Sequence, residues 1–210
     1  AYLHYCLNET IHGVEFFDTP NINDVPLVCD MSSNILSRPI DIENYGVIYA
    51  GAQKNIGPAG LTLVIARDDL ISVADKKTPT TLNWKIQSDN NSMINTPATF
   101  SIYIAGLVFK WILARGGLQF IEKENIKKAN VLYKFIDSSD FYYNSIDVGN
   151  RSRMNVPFRI TNDDLTNKFV MEAEKNGLYG LKGHRMVGGL RASIYNAMNI
   201  AGVTALIDFM

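Results

Sequence analysis

Gly51-Ala52-Gln53-Lys54-Asn55-Ile56-Gly57-Pro58-Ala59-Gly60 follows a short apolar run, Val47-Ile48-Tyr49-Ala50. The run reads as a buried strand and the decapeptide as a tight, glycine-flanked turn at its end. One long amine stands there among small residues, with few of the charges a solvated loop carries. Such a turn fixes the backbone and lets Lys54 reach into a cleft, which a Schiff-base lysine requires. The plainer reading is a surface loop lysine. A second strand candidate, Pro26-Leu27-Val28-Cys29, ends in Asp30, 24 residues before Lys54. Neighbouring parallel strands deliver both side chains to one carboxyl edge, where ligands of open α/β sheets bind. A carboxylate beside the ring nitrogen of pyridoxal phosphate keeps it protonated, and so keeps the ring a strong electron acceptor. Asp-Met-Ser-Ser would equally start a helix, with Asp30 as its cap.

Composition bounds the rest. The 210 residues are 47% hydrophobic and 20% charged with net charge -1, the profile of a soluble globular protein of one large or two small domains. No basic block points to nucleic acid. The longest apolar stretch, from Ile102 to Ala114, is too short for a bilayer and is interrupted by Lys110, and no signal peptide is visible. Cys6 and Cys29 lack metal or redox spacing and read as buried free thiols in a reducing compartment. His4, His12 and His184 are scattered, so no metal site is expected. Neither G-x-G-x-x-G nor a Walker A ending is present. The chain starts inside a strand-like run and stops inside an apolar helical one, which reads as a piece of a longer polypeptide.

Residues 1 to about 75 form a β/α series, with strands expected at 2–6, 27–29, 47–50 and 61–66 and a helix starting at Asp68. The unbroken apolar character of these strands suits a sheet covered on both faces. Residues 76–97 read as a long functional or interfacial loop. A helix over 98–115, apolar nearly all round, should be buried nearly all round, at a domain junction or subunit interface. Gly116-Gly117 ends it, and an amphipathic helix over 118–136 follows with its lysines and glutamates outward. Strands at 142–143, 156–160 and 189–194 then mix with an Asp-capped helix over 163–176 closed by Gly177. The division this predicts is 1–116 and 117–210, the second part α+β.

Other residues carry possible chemistry. Thr10, just beyond the first strand, offers a hydroxyl to a ligand, or simply makes a turn. His184, Arg185 and Arg191 surround a glycine pair and suit an anion. Arg191, in a strand, would bind a carboxylate bidentately if it points inward; an outward arginine on an exposed face is the alternative.

The stretches Ser37-Arg38-Pro39-Ile40-Asp41, Tyr45 to Gly60, His4 to Ile11, Asn95-Thr96-Pro97, Asn150 to Phe158 and Lys182-Gly183-His184-Arg185 together resemble the phosphoserine aminotransferases, end to end and in order. The resemblance implies the pyridoxal-phosphate-dependent transferase fold of type I, an α/β protein. Residues 1–116 would be the C-terminal part of its large domain, with a mixed, mostly parallel sheet, and 117–210 its small C-terminal domain; the N-terminal part would be missing. It implies transamination between glutamate and 3-phosphohydroxypyruvate in serine biosynthesis, use of a related substrate in pyridoxine biosynthesis, a cytoplasmic setting and a homodimer, with no nucleic acid, membrane or metal involved. By the same resemblance Lys54 attaches the cofactor, Asp30 partners the pyridine nitrogen, and Thr10 contacts the cofactor through its hydroxyl. Gln53 contacts its phosphate, and Asn95 and Thr96 reach the phosphate of the neighbouring subunit. Arg191 clamps the α-carboxylate, and His184 and Arg185 take the substrate's second anion. The family's N-terminal segment supplies further cofactor and substrate groups that do not lie in 1–210. The alternatives are another enzyme of this fold, such as a desulfurase or a different transaminase, and an inactive truncated product that folds and dimerises without cofactor.

Overall fold

Cys6, Asp30 and Tyr49 stand side by side near the carboxyl ends of three strands. A computed structural model describes residues 1–22, 24–72 and 74–210. In chain order the strands and α-helices are β1 (Leu3–Cys6), β2 (Asn8–Glu9), β3 (Val14–Glu15), β4 (Leu27–Asp30), β5 (Val47–Gly51), β6 (Thr62–Ala66), α1 (Asp68–Ile71), α2 (Trp84–Asp89), α3 (Thr99–Ala114), α4 (Gly117–Asp137), β7 (Tyr142–Tyr143), β8 (Asn155–Ile160), α5 (Thr166–Lys175), β9 (Leu190–Ser193) and α6 (Ile200–Phe209).

The first sheet has the order β1-β4-β5-β6. β1 runs parallel to β4 and β4 to β5, whereas β6 returns antiparallel beside β5. That turn-back follows the Lys54 loop, where Ala52 N–H donates to Leu61 C=O, so the lysine sits between two directly joined strands. The two central strands are mostly buried, as their apolar runs require. The outer two are not: β1 and β6 expose Leu3, Val64 and Ile65, so the expected cover on both faces holds only at the centre.

A second, antiparallel sheet of order β7-β8-β9 packs against α4, α5 and α6. Its hydrophobic cluster runs from Ala129 to Leu206, with Leu132 and Ile136 of α4 fully buried against Val156, Phe158 and Leu190. A separate cluster lies around the first sheet and includes Leu27, Cys29, Ile48, Ala50 and Ile56, with Ala105 of α3. Each fully buried aliphatic side chain contributes about 1.5–3 kcal/mol, so the two clusters are independent sources of stability.

Two local expectations are corrected, and a third is met on one side only within this chain. The stretch 76–97 is not without structure, because Asn83 caps α2 through the N–H groups of Lys85 and Ile86. The helix after residue 162 is capped by Asn162 rather than an aspartate, its side chain accepting from Asp164 N–H. α3 buries only Ser101, Ala105 and Ile112, while Phe100 and Leu113 are 69% and 73% exposed. A helix can be apolar all round and still find cover on one side only. Among the described residues no single helix is long and apolar enough to cross a membrane.

The two clusters meet through polar groups. The hairpin β2–β3 turns at Gly13 (φ +74°), where an added Cβ would lie 2.2 Å from Pro157 Cδ. Glycine is what lets this hairpin sit directly on β8. Beside it Asn8, fully buried, donates to Ser33 Oγ (2.8 Å) and to Asn155 Oδ1 (3.0 Å). Ser152 Oγ donates back to Asn8 Oδ1. These satisfied buried bonds tie the segment before Thr10 to the start of β8.

Candidate active site

Lys54 lies in a single helical turn after β5, in which Ile56 and Gly57 N–H groups donate to Ala52 C=O. Its side chain is half-buried and Nζ donates to Thr10 Oγ1 at 2.8 Å. Burial lowers the amine's pKa, and Arg191 lowers it further; Asp30, Cys6 and Glu9 oppose them. Asp30 closes β4 at the same sheet edge, its Oδ1 accepting from Ser32 N–H at 2.8 Å. The carboxylate therefore caps a turn after the strand, not the helix that Asp-Met-Ser-Ser would equally start, while its field also reaches Lys54 and Tyr49. Burial and the nearby Asp30 raise the Tyr49 phenol, and His4 stacks beside that ring with Nε2 2.9 Å from its hydroxyl.

Arg191 enters from the second sheet. Nη1 donates to Thr10 C=O at 3.4 Å, while the buried Nε has no hydrogen-bond partner among the described residues. A buried guanidinium N–H without an acceptor is costly unless an anion arrives to take it. Tyr195 stands near: burial raises its pKa, while Asn155, Arg191 and Thr10 oppose the rise. Asn155 Nδ2 donates to the Tyr195 hydroxyl at 3.0 Å. Lys54, Thr10, Asp30, Arg191 and Tyr195 thus form one constellation where the two hydrophobic clusters meet.

The remaining sequence candidates lie outside it. Gln53 is exposed, its carboxamide folded back over Gly51. Asn95 and Thr96 are exposed, and Asn95 Nδ2 reaches only the Thr96 carbonyl. His184 and Arg185 occupy a turn before β9 in which His184 C=O accepts from Val187 and Gly188 N–H. Among the described residues no hydrogen bond or ion pair joins either to Lys54, Asp30 or Arg191. Both cysteines are free, and burial holds each thiol above its ordinary value, Cys29 at about 12, so neither is a thiolate nucleophile. A groove of about 690 Å³ between α4 and residues 148–153 contains two arginines already paired, Arg151 with Asp137 and Arg153 with Glu122. Tyr49, Asn155 and Tyr195 carried no local signal in the sequence; only pairing across strands brings them to the site.

A lysine on a turn at the carboxyl edge of the parallel strands, an aspartate on the adjacent strand and a half-buried arginine whose Nε has no partner among the described residues stand together at this edge. The chain belongs to the aminotransferase class-V family, which matches residues 1–206. Within that class its similarity is to phosphoserine aminotransferases. It is 61% identical to that of Hahella chejuensis, over all of this chain and 58% of the relative. The solved phosphoserine aminotransferase of Bacillus circulans subsp. alkalophilus superposes with a TM-score of 0.97 at 50% identity, over 99% of this chain and 58% of that one. A phosphoserine aminotransferase from Trichomonas vaginalis, solved with pyridoxal phosphate bound, gives 0.95 at 45% identity, over 99% and 59%. The fold is theirs, and the chain spans 58% of the length of the relatives it matches.

Proposed function

We propose that this chain carries the lysine, aspartate and carboxylate-binding arginine of a phosphoserine aminotransferase that moves the amino group of glutamate to 3-phosphohydroxypyruvate. The observation that carries the reading is Arg191: a half-buried guanidinium whose buried Nε has no hydrogen-bond partner among the described residues, sharing Thr10 with the half-buried amine of Lys54. These residues fit pyridoxal phosphate and an amino acid. Lys54 has one neutral partner and a depressed pKa, so it can give up a proton and attach an aldehyde. Asp30 supplies the negative charge a protonated ring nitrogen requires. Pyridoxal phosphate, when bound, supplies an electron sink for the α-carbon of the substrate.

The chain's own residues then divide the work. Lys54, once free and neutral, takes the proton from the α-carbon and returns it one step along, since its pKa is drawn towards the working range by burial. Thr10 steers Nζ by accepting its hydrogen bond. Arg191 orients the α-carboxylate common to both substrates through two parallel N–H bonds. Gln53, Asn95 and Thr96 serve the cofactor phosphate, the last two across a homodimer, and their exposure leaves them free to do so. His184 and Arg185 take the second anion of each substrate. We assign residues 1–116 to the cofactor domain and 117–210 to the small domain, a division supported by the two separate hydrophobic clusters. A cytoplasmic serine-biosynthetic role, with a parallel one in pyridoxine synthesis, completes the proposal.

Half-reactions of the full-length protein with glutamate and with phosphoserine test it. Both should proceed, and Arg191→Lys should slow both. An enzyme that accepts alanine but not phosphoserine belongs to another transaminase of this fold.

A further inference from the structure

Lys128 is buried where Lys54 is half-buried, and faces away from solvent on α4, only 2% exposed. Its Nζ donates to three backbone carbonyls, those of Ile194 (3.0 Å), Tyr195 (2.8 Å) and Met198 (2.9 Å). Among the described residues no carboxylate lies within ion-pair distance of it; Glu124 and Arg115 are the charged groups whose fields it feels. A buried ammonium that spends all three protons on one stretch of backbone fixes that stretch.

The stretch leads out of β9. Arg191, Ser193 and Tyr195 alternate, so they share one face of the extended chain. Asn155 Nδ2 reaches both Ser193 Oγ (3.3 Å) and the Tyr195 hydroxyl, and Arg191 reaches the Thr10 carbonyl. The backbone beyond is also pinned from the lysine loop: Asn196 N–H donates to Asn55 Oδ1 at 3.0 Å, and Asn55 is the neighbour of Lys54. Asn125, one turn before Lys128, donates to Asn196 Oδ1 at 2.8 Å.

We propose that Lys128 is a positioning residue for the carboxylate end of the site, acting by holding the Tyr195 backbone so that the Tyr195 phenol stays on Asn155 and the exit of β9, the strand that carries Arg191, stays in place. The proposal rests on the reading of Arg191 as a carboxylate clamp. Without the ammonium, the 194–198 carbonyls lose their common donor. Tyr195 then drifts from Asn155, and the end of the strand that carries Arg191 loses its anchor.

The test is a double-mutant cycle on the full-length protein, reading the dissociation constant of glutarate, an unreactive dicarboxylate, by calorimetry. Lys128→Met should weaken glutarate about 10-fold, whereas in a Tyr195→Phe background the same change should cost less than about 2-fold, because groups that act through one another are not additive. A merely structural lysine would give equal effects in both backgrounds, and that result overturns the proposal. If Lys128→Met does not fold, Lys128→Arg takes its place, since a planar guanidinium cannot make three bonds from one nitrogen. Arg191→Lys separates the two layers of argument. Glutarate binding indifferent to Arg191 overturns the clamp reading and the proposal with it. Arg191-dependent binding that neither Lys128 variant alters overturns the proposal alone.

Discussion

Lys54 and Lys128 occupy two regions of one molecule and are buried in different ways. Lys54, at the open edge of the first sheet, has a single neutral acceptor, the Thr10 hydroxyl. Lys128, between α4 and the exit of β9, has three carbonyl acceptors and almost no exposure. Burial lowers the pKa of both, Lys128 to about 8. A depressed pKa therefore does not by itself mark a catalytic lysine. The number of acceptors does more to separate them: a saturated amine is held, and one with a single exchangeable partner is free to react.

The sharpest way to break this comparison is to remove each amine in turn. Lys54→Ala should lower turnover of the full-length protein by at least about 10⁴-fold, the upper range for a lost acid–base group. Its unfolding free energy should stay within about 0.5 kcal/mol of the parent. A variant that melts early yet keeps turnover would reverse the roles given to the two lysines.

Asp30→Asn comes next. The amide retains the shape and the bond to Ser32 N–H but not the charge, so turnover should fall about 10²-fold, the scale of one preorganised electrostatic group. Binding of pyridoxal phosphate, followed by its absorbance, should fall much less. Equal losses in both would make Asp30 a cap and nothing more.

Lys128→Met should act on stability. Orphaned carbonyls cost about 1–3 kcal/mol, which a denaturant titration at neutral pH would show. The same lysine sets a pH dependence. Its folded pKa of about 8 lies below the ordinary 10.5, so the unfolded chain binds more protons between those values. The Lys128 contribution to stability should therefore rise as pH climbs from about 8 towards 10.5, with the fields of Glu124 and Arg115 unchanged, and Lys128→Met should remove that part of the pH dependence. Lys54, whose pKa is also lowered, adds to the rise and the raised thiols of Cys6 and Cys29 oppose it, so the measure is the difference between parent and variant, and an identical pH dependence in the two would contradict the assignment.

What lay open in the sequence was local. The apolar runs ending in Asp30 and at Gly51, the small-residue turn around Lys54, Gly177 closing α5 and the boundaries of α3 and α4 all follow from spacing and turn chemistry within about a dozen residues. That Asp30 and the Lys54 turn come to one sheet edge was legible because adjacent parallel strands share an edge. Tertiary structure alone decided the rest. Arg191 meets Thr10 across 181 positions and Asn8 meets Asn155 across 147, distances at which no periodicity carries information. Lys128 sits on an amphipathic helix whose lysines read as outward, yet the carbonyls of 194–198 draw it in. α3 reads as buried on nearly all sides, at a domain junction or subunit interface, and within this chain most of its apolar face meets no partner among the described residues. Hydrophobicity states what a side chain would gain from cover; only the packing of distant segments determines whether cover is there.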